Sequence, residues 1–300
     1  MEMLNQIVIK SMPLIPKIII KKVASKYIAG PQLSDAVRVT QELMKKNGMS
    51  TIDVLGEFVT TKDRALHEKE MSQKVIEAIH QNQLKTYLSI KPTSLGLGID
   101  EQFAYDNISY LVKMANELGI FVRLDMENSP YTSKTIALYK KLRENGFSQV
   151  GLVFQAYMKR SEDDIKSLLD YNPSIRLCKG IYRESPQIAF QGKKEIRENY
   201  KKLLRILFEN SCYIGIATHD EELIQDALAY INSNKIEKDK YEFQMLLGVR
   251  EKRRDEILAM GHNLRVYVPF GEDWYGYATR RLKENPNMAS QIVKAMFYNG

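Results

Sequence analysis

Three hundred residues with a hydrophobic fraction of 44% and a charged fraction of 27% have the composition of an ordinary globular protein, and exclude a disordered, fibrous or disulfide-dense chain. The longest apolar stretches are strand-length, far short of the ~20 residues a membrane-spanning helix needs, and the first residues lack the basic, apolar, small-residue order of a secretory leader. Net charge is +7, but most lysines alternate with glutamates along helical faces, the pattern of a solvated surface rather than of a nucleic-acid groove. Cys178 and Cys212 have no paired spacing for zinc or a disulfide framework and suit a reducing cytoplasm.

Residues 1–50 come first, as a helical extension. Within it Lys10, Lys17, Lys21, Lys22 and Lys26 interleave with Ile and Leu, a mixture that can pack against the rest of the same domain or rest peripherally on an anionic membrane surface. From residue 51 onward short β-branched runs recur, each ending in polar residues and followed by a helix-length amphipathic stretch. In order they are TIDVLG from Thr51, KTYLSIKP from Lys85, FVRLDME from Phe121, QVGLVFQAY from Gln149, IRLCKG from Ile175, CYIGIATH from Cys212, YEFQMLLG from Tyr241 and LRVYVPF from Leu264. Between them lie ISYLVKMANELG, SKTIALYKKLRENG and EDDIKSLLDY, the first two ending in Gly119 and Gly146, residues that enter the left-handed region at a helix end without steric cost. Strand alternating with helix eight times predicts an α/β protein, a TIM-like (β/α)8 barrel over residues 51–286, with 287–300 as a tail; an open doubly wound sheet is the alternative.

In such a barrel the working groups lie at the C-terminal ends of the strands. Those ends carry Glu57, Lys91, Asp125 with Glu127, Gln155, Arg176 with Lys179, Thr218 with His219 and Asp220, Gln244 and Tyr267, while the strand interiors read as apolar. A metal is not expected, because the cations Arg176 and Lys179 stand among the candidate ligands Asp125, Glu127 and His219, and no HxxxH or CxxC spacing occurs. A Schiff-base lysine at Lys91 or Lys179 is open on these residues alone. The last helix, YGYATRRLKEN, sets Arg280 beside Arg281 and places Tyr277, Arg281 and Glu284 on one face. Two guanidinium forks suit a small carboxylate or phosphate, although an arginine pair on a helix also serves as plain surface charge.

The segments LDMENSPYT from Leu124, FQAYMKRSEDD from Phe154, RLCKGIYRE from Arg176, ATHD from Ala217, YEFQMLLGVR from Tyr241 and RVYVPFGEDWYGYATRRLKENP from Arg265 resemble, in order, those of bacterial monofunctional proline dehydrogenases. The resemblance implies FAD-dependent oxidation of L-proline to Δ1-pyrroline-5-carboxylate with electrons passed to a membrane quinone. It assigns Lys91, Tyr267, Tyr277, Arg280, Arg281 and Glu284 to the substrate, and Asp125 and Arg176 to the chemistry. It assigns Met126, Gln155, Arg176, Lys179, Gly180, Ile181, Tyr182, Thr218 and His219 to the flavin, with Trp274 nearby. SIKPTSLG departs from the family pattern by placing Pro92 directly after Lys91. No GxGxxG is present, so the barrel top stands in for a Rossmann-type FAD site.

Overall fold

A computed structural model describes residues 25–278. Eight parallel strands close into a barrel in chain order: β1 (Met49–Val54), β2 (Thr86–Ile90), β3 (Val122–Leu124), β4 (Val150–Gln155), β5 (Ser174–Cys178), β6 (Tyr213–Ala217), β7 (Tyr241–Leu246) and β8 (Leu264–Phe270). All eight runs read from the sequence form strands, and β8 closes on β1 with Met49 opposite Arg265 and Val54 opposite Phe270. The open doubly wound sheet is thereby excluded.

Helix α1 (Leu33–Met44) precedes the barrel. The connecting helices are α2 (Lys62–Gln81), α3 (Glu101–Glu117), α4 (Ser129–Glu144), α5 (Ser161–Lys166), α6 (Lys193–Glu209), α7 (Glu221–Ser233) and α8 (Glu251–Ala259). Their starts follow ordinary capping chemistry: the Asp100 carboxylate accepts the amide of Phe103 at 3.0 Å, and the Thr61 hydroxyl that of Arg64 at 3.3 Å. Gly119 and Gly146 do turn left-handed, at φ 68° and 87°. EDDIKSLLDY is not one helix; α5 stops at Lys166 and a 3-10 turn takes over at Leu169–Tyr171.

Because side chains alternate along a strand, each strand offers one row to the helices and one to the barrel axis. The helix-facing row is apolar: Ile52, Leu88, Val122, Leu152, Ile175, Ile214, Phe243 and Val266 are buried in one cluster with Ile76, Leu111, Leu142, Leu203 and Ile224 from the helices. Each such side chain contributes about 2 kcal/mol of burial energy. The axial row departs from the apolar interior expected of it. Arg123, Glu242 and Arg265 are buried near the N-terminal floor, around the ring of Tyr87. Arg265 forks onto Glu242 at 2.7 and 2.9 Å, and Tyr213 donates to the same carboxylate at 2.9 Å. Arg123 donates to the carbonyls of Leu152 and Ser174. Gly151 makes room for it, since a Cβ there would stand 2.6 Å from a guanidinium nitrogen.

Candidate functional site

Above the floor, at the C-terminal ends of the strands, five ionisable side chains from five strands meet. Asp53 comes from β1, Lys91 from the residue after β2, Asp125 from the residue after β3, Arg176 from β5 and Tyr267 from β8. Lys91 Nζ donates to Asp53 Oδ1 at 2.7 Å and lies 3.7 Å from Asp125 Oδ2. Asp125 Oδ1 accepts from Arg176 Nη1 and from Ser89 Oγ, both at 2.7 Å, and Oδ2 accepts from the Tyr267 hydroxyl at 3.0 Å. The ring of Tyr267 lies 5.2 Å from the Arg176 guanidinium. Arg176 Nε donates to Gln244 Oε1 at 2.6 Å.

Such proximity fixes protonation. Burial alone would lower the Lys91 ammonium, but Asp53 and Asp125 more than reverse this and hold it above the ordinary lysine range. A lysine so held is a firm cation and a poor nucleophile, which removes the Schiff-base reading of Lys91. Lys179 lies 3.0 Å from Asp220, which also takes a fork from Arg197. Burial pushes the Asp53 carboxyl up to about 6 against the pull of Lys91, so the pair is ionised at neutral pH.

The other side chains singled out in the sequence stand around this cluster. Glu127 is buried and turned to the loop after β2, accepting the amide of Thr93 at 2.9 Å and its hydroxyl at 2.5 Å; burial raises it to about 7. Gln155 is buried and donates to the Glu127 carbonyl at 2.9 Å, and Met126 is buried beside them. Thr218 is buried and accepts the Asp220 amide. His219 Nε2 accepts the amide of Leu246 at 2.9 Å, which leaves the ring proton on Nδ1. Gly180 is left-handed at φ 109° with the Tyr157 ring so near that a Cβ would stand 2.3 Å from it. Ile181 is exposed, and Tyr182 meets Phe58 edge-on at 6.4 Å. Residues 274–278 are helical, Trp274 is half-buried and Tyr277 is buried, its hydroxyl near enough to bear on Tyr267. Arg280, Arg281 and Glu284 lie outside the described residues.

Asp53, Ser89 and Tyr87 escaped the sequence reading, which looked for polar groups at strand ends. The signal was present as spacing: Thr51/Asp53, Tyr87/Ser89/Lys91, Arg123/Asp125, Glu242/Gln244 and Arg265/Tyr267 all repeat at two residues, so one face of five strands is polar.

A family model described as proline dehydrogenase matches residues 36–294. This chain belongs to the proline dehydrogenase family. Membership places it among the oxidoreductases of proline catabolism. It is similar to proline dehydrogenase 2 of Bacillus subtilis (strain 168), 38% identical over 273 residues that make up 91% of this chain and 90% of the relative. Proline dehydrogenase of Deinococcus radiodurans is 35% identical over 277 residues, 91% and 89% of the two chains. Among solved structures, proline utilization A of Bdellovibrio bacteriovorus, crystallised after inactivation by N-propargylglycine, aligns with a TM-score of 0.83 and 25% identity. That alignment covers 88% of this chain and 32% of the other, so the barrel corresponds to one part of a much longer protein.

Proposed function

We propose that this chain oxidises L-proline to Δ1-pyrroline-5-carboxylate by hydride transfer to N5 of a bound FAD, with a quinone as the final acceptor. The observation that carries the reading is Arg176. Its Nε and Nη1 are tied to Gln244 and Asp125, while Nη2, buried, has no acceptor among the described residues. A buried guanidinium edge without an acceptor is costly, and an electron-rich ligand over the barrel mouth satisfies it. The crowded left-handed Gly180 also fits, since it keeps side-chain volume away from where Met126, Gln155, Arg176, Lys179, Ile181, Tyr182, Thr218 and His219 would hold the cofactor. FAD, when bound, supplies a two-electron acceptor.

The chain's own residues supply binding and orientation. Proline loses hydride from the ring carbon beside nitrogen, the nitrogen lone pair forms the C=N bond, and one N–H proton departs. The amine must therefore be neutral. Lys91 with Arg280 and Arg281 would grip the carboxylate, and their positive field lowers the amine pKa toward working pH. Fixing the carboxylate fixes the reacting carbon, so much of the rate gain is orientation. Asp125 orders Lys91, Arg176 and Tyr267 around one carboxylate. Delivery of electrons to a membrane quinone would go through peripheral contact of the protein with the membrane surface.

The deciding experiment is the visible spectrum of the purified protein before and after L-proline without oxygen. Bands near ~450 nm that bleach establish flavin and substrate together. A flavin indifferent to proline overturns the substrate, and a protein unable to take up FAD overturns the whole reading. In the active enzyme, Arg281→Met should raise the proline KM by roughly a hundredfold with flavin retained.

A further inference from the structure

We propose that Gln244 is a positioning residue that sets the plane of the Arg176 guanidinium, and that Glu242 sets the orientation of Gln244. The inference deepens the reading of Arg176 as the flavin-facing group and rests on it. Arg176 is on β5 and Gln244 on β7, so their 2.6 Å contact crosses the intervening strand β6. It can do so because the residue of β6 paired with Arg176 on one side and with Glu242 on the other is Gly215. A Cβ at Gly215 would stand 2.4 Å from Gln244 Nε2. The missing side chain of one strand is the passage through which the next-but-one strand reaches the site.

The amide has only one workable orientation. Its Oε1 faces a guanidinium, which can only donate, and its Nε2 donates to Glu242 Oε1 at 2.6 Å and to the Tyr87 hydroxyl at 2.9 Å. Flipping the amide would set N–H against N–H and oxygen against a carboxylate. Glu242 stays ionised because Arg265 forks onto it, so the acceptor that orients Gln244 is permanent. With Nε held by Gln244 and Nη1 by Asp125, the guanidinium has two fixed edges, and the direction of Nη2 follows from planarity. The floor of the barrel thus dictates where the positive edge of Arg176 points.

Gln244→Met keeps length and volume but removes the acceptor. Under anaerobic single turnover the flavin reduction rate should fall by roughly tenfold to a hundredfold while the proline KM changes by less than about threefold. The flavin midpoint potential should also drop, a change that loss of stability alone would not produce. Unchanged reduction rate and potential in a flavin-loaded variant would overturn the proposal. Should the variant fail to fold, the Arg176 Nε–H resonance of the wild-type apoprotein decides: a single slowly exchanging signal supports a fixed guanidinium, and a fast-exchanging one overturns it. Refusal of FAD or proline by the wild type sinks the functional reading instead, and leaves the resonance as the test of the Gln244 contact.

Discussion

The two buried glutamates near the ends of this barrel differ in what surrounds them. Glu242, on the floor, accepts from Arg265 twice, from Tyr213 and from Gln244; burial alone would raise it, and these partners bring it below the ordinary carboxylate value. Glu127, at the mouth, has the amide and hydroxyl of Thr93, and burial wins, lifting it to about 7. Equal burial gives opposite outcomes because Glu242 has a buried cation at hydrogen-bond distance and Glu127 has only the neutral donors of Thr93. Unpartnered buried atoms occur at both levels: among the described residues Arg176 Nη2 and Asp53 Oδ2 at the mouth and Arg123 Nε at the floor have no partner, whereas both oxygens of Glu242 are used. The Glu242 carboxylate is saturated by its partners, and Asp53 and Arg176 at the mouth are not.

The contrast can be broken in order of expected size. Arg265→Met strands the Glu242 carboxylate and should cost about 4 kcal/mol in urea unfolding; a loss below about 1 kcal/mol would mean the floor pair is not structural. Next is a pH effect. The folded Glu127 holds a proton up to about 7 that the unfolded chain releases near its ordinary 4.5, so wild-type stability falls as pH rises through that window and is level above it. Relative to Glu127→Gln, which does not titrate, the decline should total about 3 kcal/mol by thermal or urea unfolding. A difference that is flat between those pH values would place the raised proton elsewhere. Glu242 has the opposite sign: its contribution is present above the ordinary carboxylate value and is lost as pH falls below it.

The smallest effect on stability, and the sharpest on activity, is expected at Asp53→Asn. Burial already disfavours the carboxylate and Lys91 keeps Asp125 at 3.7 Å, so unfolding free energy should change by no more than about 1 kcal/mol. Reduction by proline should nonetheless slow by roughly tenfold as Lys91 loses its anchor. Wild-type kinetics would show that Asp125 alone suffices to place Lys91.

What the sequence made legible follows from how local each signal is. The strands were readable because an aliphatic row facing helices, such as Ile214 and Ile216 on β6, recurs within five residues and is punctuated by glycine-capped helices. Lys91, Asp125, Arg176 and Tyr267 were readable as strand-end polarity, and the structure brings those four into one cluster. The axial charges were not, because each finds its partner on another strand: Arg265 lies 23 residues from Glu242, and Gln244 lies 68 from Arg176. Taken singly, Arg123 or Glu242 looks like a stray charge in an apolar run. Their two-residue spacing puts them on one face of each strand, and the closed barrel turns that face to the axis.

The ladder between β7 and β8 sets Gln244 opposite Arg265, with Phe243 opposite Leu264 and Met245 opposite Val266. Sliding β7 by one residue would turn Phe243 and Met245 toward the axis and push Glu242 and Gln244 into the aliphatic layer under the helices, where nothing answers a carboxylate. An all-leucine barrel would tolerate that slip; this one is locked against it by the same ion pair that anchors the site, so correct strand alignment and a correctly aimed Arg176 are selected together during folding.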